Sequence, residues 1–281
     1  MRCSVGSIRL CARPGQSGGI GCGPCVARGW LNVINWRIER YESLGSTSDL
    51  CAVRAGSGEK AGLVIIAETQ SAGRGRSGRK WHSPVGNFYA SLLIRPHLAL
   101  ADAPMISLLT GVALAGALGA FLQDASGISL KWPNDVLLNG AKLAGILVES
   151  SISAGQLDWM VVGVGANLIS APFIEGRKTA HLAPGHAGLR DEFTAQFLDD
   201  LAHWLDLFER QGFSPVKQAW LAAAHPIGTM ISTHDATGIF AGLNDHGALL
   251  LEQSGGISPI LSGEIALQPA EGPALTHASR H

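Results

Sequence analysis

Hydrophobic positions along the chain fall into short bursts at first, lengthen in the middle, and return to short bursts near the end. Gly62-Leu63-Val64-Ile65-Ile66-Ala67 and Asn87-Phe88-Tyr89-Ala90-Ser91-Leu92-Leu93-Ile94 are apolar runs of strand length and predict two core strands. Ile106 to Leu122 is longer, interrupted by Ser107 and Thr110 and rich in glycine and alanine, which predicts a buried helix rather than a membrane span. From Asp191 to Gln211, Phe193, Phe197, Leu201, Trp204, Leu205 and Phe208 recur at spacings of three and four. That period predicts an amphipathic helix, with Asp191 and Glu192 favouring its first turn and Gly212 its stop. Beyond it, Gly228–Thr233, Gly238–Leu243, Gly247–Glu252 and Ile257–Leu267 read as short strands of a small SH3-like barrel, punctuated by Asn244-Asp245-His246-Gly247 and Ser254-Gly255-Gly256.

The polar residues that interrupt this pattern carry the chemistry. Gly73-Arg74-Gly75-Arg76-Ser77-Gly78-Arg79-Lys80-Trp81 lies between the two core strands and crowds four cations among glycines. Guanidinium forks suit phosphate and carboxylate oxygens, glycine allows close backbone approach, and a loop between core strands is held by a rigid scaffold, so the segment reads as an anion clamp. It lacks GxxxxGK[ST], and its Gly73-x-Gly75-x-x-Gly78 letters run on into Trp-His-Ser-Pro, which does not open a helix. Further on, Pro133 blocks a regular central strand, and Asn139-Gly140 marks a tight hairpin joining Val136-Leu137-Leu138 to a run that begins at Lys142. Lys142 therefore stands near the start of a core strand, either as a snorkelling edge residue or as a point charge for a ligand. Ser46-Thr47-Ser48-Asp49 reads as a helix N-cap whose side chains could also face a ligand.

Composition narrows the class. The 281 residues, 46% hydrophobic, suffice for one main domain and a small second one, over residues 36–225 and 226–268. A net charge of −1, with the positive charge gathered in one loop, argues against general nucleic-acid binding. Residues 1–35, with Cys3, Cys11, Cys22 and Cys25 among glycines, predict a disordered extension, as does the tail 269–281. Cys22-Gly-Pro-Cys25 lacks both the setting of a redox motif and a matching pair of zinc ligands. Cys51 alone in the folded part suits a reducing compartment, and Arg9, Arg13 and Arg28 interrupt any secretory segment, so the cytoplasm is expected, with no membrane partner.

Five segments in order resemble the biotin-protein ligases: Gly45-Ser46-Thr47-Ser48, Glu68 to Arg76, Lys131-Trp132-Pro133-Asn134-Asp135, Lys142 to Glu149, and Gly163-Val164-Gly165-Ala166-Asn167-Leu168. The resemblance runs from about Arg37 to Leu267. It implies an α+β fold, a mixed-sheet catalytic domain with packed helices of class II synthetase type followed by the SH3-like domain. It also implies activation of biotin with ATP and magnesium and transfer to a lysine of a biotin carrier domain. By this resemblance Arg74, Arg76 and Lys142 are the catalytic candidates, and Ser46, Thr47, Ser48, Gln70, Gly75 and Gly145 join them around biotin. Arg76, Arg79, Trp81, Asn134 and Asn167 are assigned to ATP, and Asp135 to the metal. Some relatives add an N-terminal helix-turn-helix; the first 35 residues here are too few and too glycine-rich for a three-helix DNA-binding unit, so no DNA partner is expected. An exposed sheet edge could support a homodimer. The chain departs from the pattern at Ser48, at Lys178-Thr179-Ala180-His181-Leu182 and at Gln268. A lipoate or octanoate ligase or transferase, and a non-catalytic biotin-binding module, are the competing readings.

Overall fold

The computed structural model describes residues 34–182 and 186–267. The cysteine-rich segment and the C-terminal tail, together with Gln268, lie outside those residues. Ile34 and Trp36, just before β1, already pack against the core.

The first half of the chain runs β1 (Arg37–Leu44), α1 (Thr47–Gly56), β2 (Leu63–Gln70), β3 (Phe88–Ile94), α2 (Pro104–Gly119), β4 (Ile128–Lys131), β5 (Asp135–Leu138), β6 (Ala141–Ser153) and β7 (Gln156–Ala166). These strands form one seven-stranded sheet in the order β1-β2-β3-β7-β6-β5-β4. Within it only β1 and β2 run parallel, joined through α1; the remaining pairings are antiparallel. The apolar runs are continuous because both faces are covered. In β2, Leu63 and Ile65 pack with Cys51, Ala55, Leu93 and Val161 on the α1 face, while Val64 and Ile66 enter the main core on the other. Period-two alternation thus survives inside an unbroken hydrophobic run.

That main core also holds α2, α3 (Leu189–Gln211) and α4 (Ser214–Ala223). Leu100–Gly119 is long and apolar enough to cross a membrane by length and composition, yet eleven of the sixteen α2 residues are buried against protein. Along α3, Phe193, Phe197, Leu201, Leu205 and Phe208 are buried, matching the expected stripe, and Phe193 and Phe197 pack edge-on against Phe88 of β3. Asn139 (φ 51°) and Gly140 (φ 75°) make the expected turn of the β5–β6 hairpin. Trp132-Pro133, a cis peptide, links β4 to β5.

The second, smaller unit is β8 (Met230–Ser232), β9 (Thr237–Leu243), β10 (Leu249–Gln253), β11 (Gly256–Ile260) and β12 (Ala266–Leu267), ordered β11-β10-β9-β8-β12 in one antiparallel sheet. Its size fits the SH3-like expectation, but the described pairings form an open sheet, not a closed barrel. The run expected as one strand from Ile257 to Leu267 is two strands, because Ser262 and Gly263 (φ 123°) turn the chain between them. This turn carries Glu264 back onto the large domain, where it pairs with Arg79 and Arg177. His225 sits at the junction against Phe240, and burial pushes its imidazole down to about 4, so it is neutral at neutral pH.

Candidate functional site

The Gly/Arg segment leaves β2 and returns toward β3 as a closed loop. Its stem is pinned by backbone bonds from Trp81 N to Gly73 O (2.8 Å) and from Gly75 N to Arg79 O (2.6 Å). A Cβ on Gly73 would come within 2.8 Å of the Trp81 carbonyl oxygen, so the stem requires glycine there. The tip is one short 3-10 turn, Arg76–Gly78, with Ser77 at φ 56° and Gly78 at φ 71°, and it does not continue into an α-helix.

This loop roofs a cavity of about 320 Å³. The facing wall comes from β6 and β7, where Gly145, Gly163 and Gly165 remove side chains from the sheet surface. A Cβ on Gly163 would stand 2.7 Å from Ser48 Oγ, and one on Gly165 would stand 2.5 Å from the Trp81 indole. The indole also lies over Gly145, and Lys142 Nζ is 5.4 Å from its ring centroid. Since Gly163 and Gly165 share one face of β7, the serine cluster and the indole are offset along the strand by about 7 Å. Gly163 and Gly165 thus lie inside β7 itself, and they serve close approach.

At the serine cluster, Ser46 caps α1 by accepting from Asp49 N at 3.3 Å. Thr47 and Ser48 sit on the first turn and reach Ser91 Oγ at 2.8 and 3.0 Å. Gln70 Oε1 accepts from Thr47 N at 2.8 Å, and its amide nitrogen donates to Ser83 at 3.2 Å. Ser46, Thr47 and Ser48 are all buried, as is Ser91. The cap and the cavity lining are thus one and the same segment. Ser91 belongs to no motif that marks it in advance, although a serine between Ala90 and Leu92 in a mostly apolar core strand is a legible signal.

Six cations line the cavity, Arg74, Arg76, Arg79, Lys80, Lys142 and Arg177, and among the described residues no acidic side chain shares its wall. They are not equivalent. Arg74 is held by Asp49 and, at 3.1 Å, by Glu149. That pairing makes it an anchor of the loop, whereas the sequence reading counts it among the anion-clamping groups. Lys142 pairs with Asp135 at 2.6 Å. Arg76 has no ion pair among the described residues; it donates to Gly263 O at 3.0 Å and to Asn134 Oδ1 at 3.4 Å. Burial pushes its guanidinium below the usual arginine range, with Glu264 opposing and Arg79 adding to the shift. A half-buried cation in this condition favours an incoming anion.

Every expected site residue except Asn167 and Asp135 lines this cavity. Asn167 is instead a staple. Its Nδ2 donates to Ala180 O (3.0 Å), its backbone N to Leu143 O (2.9 Å), and its carbonyl accepts from Leu182 N (3.0 Å). The family pattern points it at a nucleotide, but these bonds fix the 178–182 segment against β6. Asp135 stands behind the wall as the counter-ion of Lys142. Among the described residues no group of three histidine, cysteine or acidic side chains gathers to hold a metal. Conversely, Ile174, Arg177 and Thr179 line the cavity from a segment with no apolar period to point to them.

Residues 45–167 match the Biotin/lipoate A/B protein ligase family, and residues 229–268 match the Biotin protein ligase C terminal domain. The chain is 37% identical over 225 residues to the Biotin--[acetyl-CoA-carboxylase] ligase of Paracoccus denitrificans, covering 76% of this chain and 94% of that one. It is 38% identical over 221 residues to the Bifunctional ligase/repressor BirA of Escherichia coli (strain K12), covering 75% and 68%. Among solved structures, the biotin protein ligase from Aquifex aeolicus in complex with biotin and ATP superimposes with a TM-score of 0.70 at 27% identity, covering 83% of this chain and 99% of that one.

Proposed function

The chain belongs to the biotin/lipoate A/B protein ligase family, and from that premise we propose that it activates biotin with ATP and transfers it to a lysine of a biotin carrier domain. The observation that carries this reading is one cavity in which six cations meet a buried hydroxyl cluster. A lipoate-type reading would leave unused the match of residues 229–268 to the biotin ligase C-terminal domain.

A carboxylate does not acylate an amine at neutral pH, so it is first joined to AMP. A carboxylate oxygen of biotin attacks the α-phosphorus of ATP, the bond to the β-phosphate oxygen breaks, and pyrophosphate leaves. Both partners are anions, and their approach requires positive charge around the reacting atoms. Arg76 and Lys142 supply it, Arg79 bears on the nucleotide's phosphates, and Arg74 anchors the loop that carries Arg76. Trp81 and the glycine face of β6 and β7 form an apolar slot for the ring and chain of biotin. Thr47, Ser48 and Gln70, with Ser91 behind them, offer donors and acceptors to the ureido head. The carrier's lysine amine then attacks the acyl carbon, the bond to the AMP oxygen breaks, AMP departs with the pair of electrons, and the nitrogen's proton passes to solvent. Magnesium would neutralise phosphate charge on ATP, which suits a cation that keeps its waters and needs few protein ligands; Asp135 is the candidate carboxylate beside it.

Ser91→Ala tests the cluster. It removes the hydroxyl that orients Thr47 and Ser48, and loss of one such buried hydrogen-bond partner is expected to raise KM for biotin about tenfold, with KM for ATP unchanged. Equal changes in both constants would count against placing biotin there. The overall reading is tested by incubating the protein with ATP, magnesium, labelled biotin and a biotin carrier domain. Label on the carrier lysine only when ATP is present supports it; absence of transfer with biotin-dependent pyrophosphate release intact would leave an adenylating protein without ligase activity.

A further inference from the structure

Arg177 and Glu264 belong to none of the roles above, yet Arg177 lines the cavity and Glu264 pairs with it and with Arg79 from outside the wall. Arg177 lies on the segment after β7, reaches the cavity wall and is 42% exposed. Arg79 comes from the Gly/Arg loop. Both guanidinium groups converge on one carboxylate, Glu264, which bonds Arg79 and stands 3.3 Å from Arg177. Its neighbour Gly263 accepts from Arg76. Three arginines from the large domain are thus engaged by two adjacent residues of the small domain, on the turn between β11 and β12.

We propose, on the footing of the function given above, that Arg177 is a further phosphate-binding residue for the nucleotide and that Glu264 is an internal competitor which holds the Arg79–Arg177 pair until a triphosphate displaces it. A carboxylate bridging two guanidinium forks uses the same donors as a phosphate group and carries the same sign of charge. Both cannot occupy the pair, because a triphosphate beside an unpaired carboxylate meets like-charge repulsion in a partly buried site. Among the described residues no acid lines the cavity itself, and Glu264 is the acid that engages two of its lining arginines. The hydrogen bond from Arg79 holds the Glu264 carboxyl below its usual range, so it stays ionised at neutral pH. Nucleotide binding then releases the turn of the small sheet from the Gly/Arg loop, and the position of the second domain becomes linked to the state of the site.

Glu264→Gln keeps shape and removes charge. The experiment measures KM for ATP by biotin-dependent pyrophosphate release, and ATP affinity by calorimetry, in wild type, Glu264→Gln, Arg177→Gln and the double variant. Each pair is half-exposed and individually weak, so Glu264→Gln is expected to lower KM for ATP about fivefold. Arg177→Gln is expected to raise KM for ATP about tenfold with KM for biotin unchanged. In the double variant the gain from Glu264→Gln shrinks, because one of the two contested donors is gone. An unchanged or raised KM for ATP in Glu264→Gln, or fully additive effects in the double variant, overturns the proposal. If wild type itself releases no pyrophosphate in response to biotin, the functional reading fails instead, and the two failures are distinct. Coincident melting curves for the four proteins confirm that the changes do not arise from misfolding.

Discussion

Lys142→Ala is expected to slow adenylate formation about a thousandfold at saturating biotin and ATP, with much smaller changes in either KM. Lys142 is one of the cations on the cavity wall, and it is held in place twice. Asp135 accepts a hydrogen bond from its ammonium at 2.6 Å, and the Trp81 indole lies beneath it. Its side chain emerges near the start of β6, where Lys142 N and O both bond the 178–182 segment, so the backbone under it is fixed. A preorganised charge of this kind acts where negative charge develops, and it needs no reorganisation at the moment of reaction. The variant also leaves the Asp135 carboxylate, 16% exposed, without its partner. That loss is expected to cost about 1–3 kcal/mol of stability. Adding Asp135→Asn separates the two effects: it should restore much of the stability and little of the rate. Recovery of rate by Asp135→Asn would show that Lys142 only neutralises a harmful carboxylate. Single-turnover adenylation with melting curves measures both.

Gly165→Ala is the second large effect. One methyl group added to β7 would lie 2.5 Å from the Trp81 indole, a distance real contacts do not adopt. The ring cannot slide aside cheaply, because it is fitted against Gly145 and Lys142 as well. Displacing it would carry Trp81 into the cavity or pull the stem of the Gly/Arg loop, which is bonded to Trp81 through Gly73 O. Overpacking of this kind costs about 1–3 kcal/mol. Because ring and loop move together, kcat/KM for biotin is expected to fall about a hundredfold. A crystal structure of the variant, with tryptophan fluorescence in solution, locates the ring; an unmoved indole with unchanged kinetics would contradict its role as the wall of the site.

The core bursts were legible because residues at odd and even positions of β2 are buried on opposite faces, which leaves a continuous apolar signature. The stripe of α3 was legible for the complementary reason, a period set by one buried face. The Gly/Arg loop and Lys142 were readable as chemistry, since cations crowded together between core strands repel one another unless an anion meets them. What they touch was not readable. Arg74 looks like the leading clamp, but its carboxylate partners Asp49 and Glu149 come from α1 and β6 and leave no local trace. Arg177 and Glu264 are 87 positions apart, and only the turn after β11 brings them together. Asn167, which the resemblance assigns to ATP, directly follows β7, and its partners Leu143, Ala180 and Leu182 leave no trace in its own glycine-rich segment. Ser91 is detectable from its polarity alone within a run of apolar neighbours.

The meeting of separated cations around one forming carboxyl–phosphorus bond is tested most directly by exchange of labelled pyrophosphate into ATP. With wild-type protein, exchange should depend strictly on biotin and should collapse in Arg76→Ala and Lys142→Ala alike, while both variants still fold. Exchange that proceeds without biotin, or that survives both substitutions, would contradict the account.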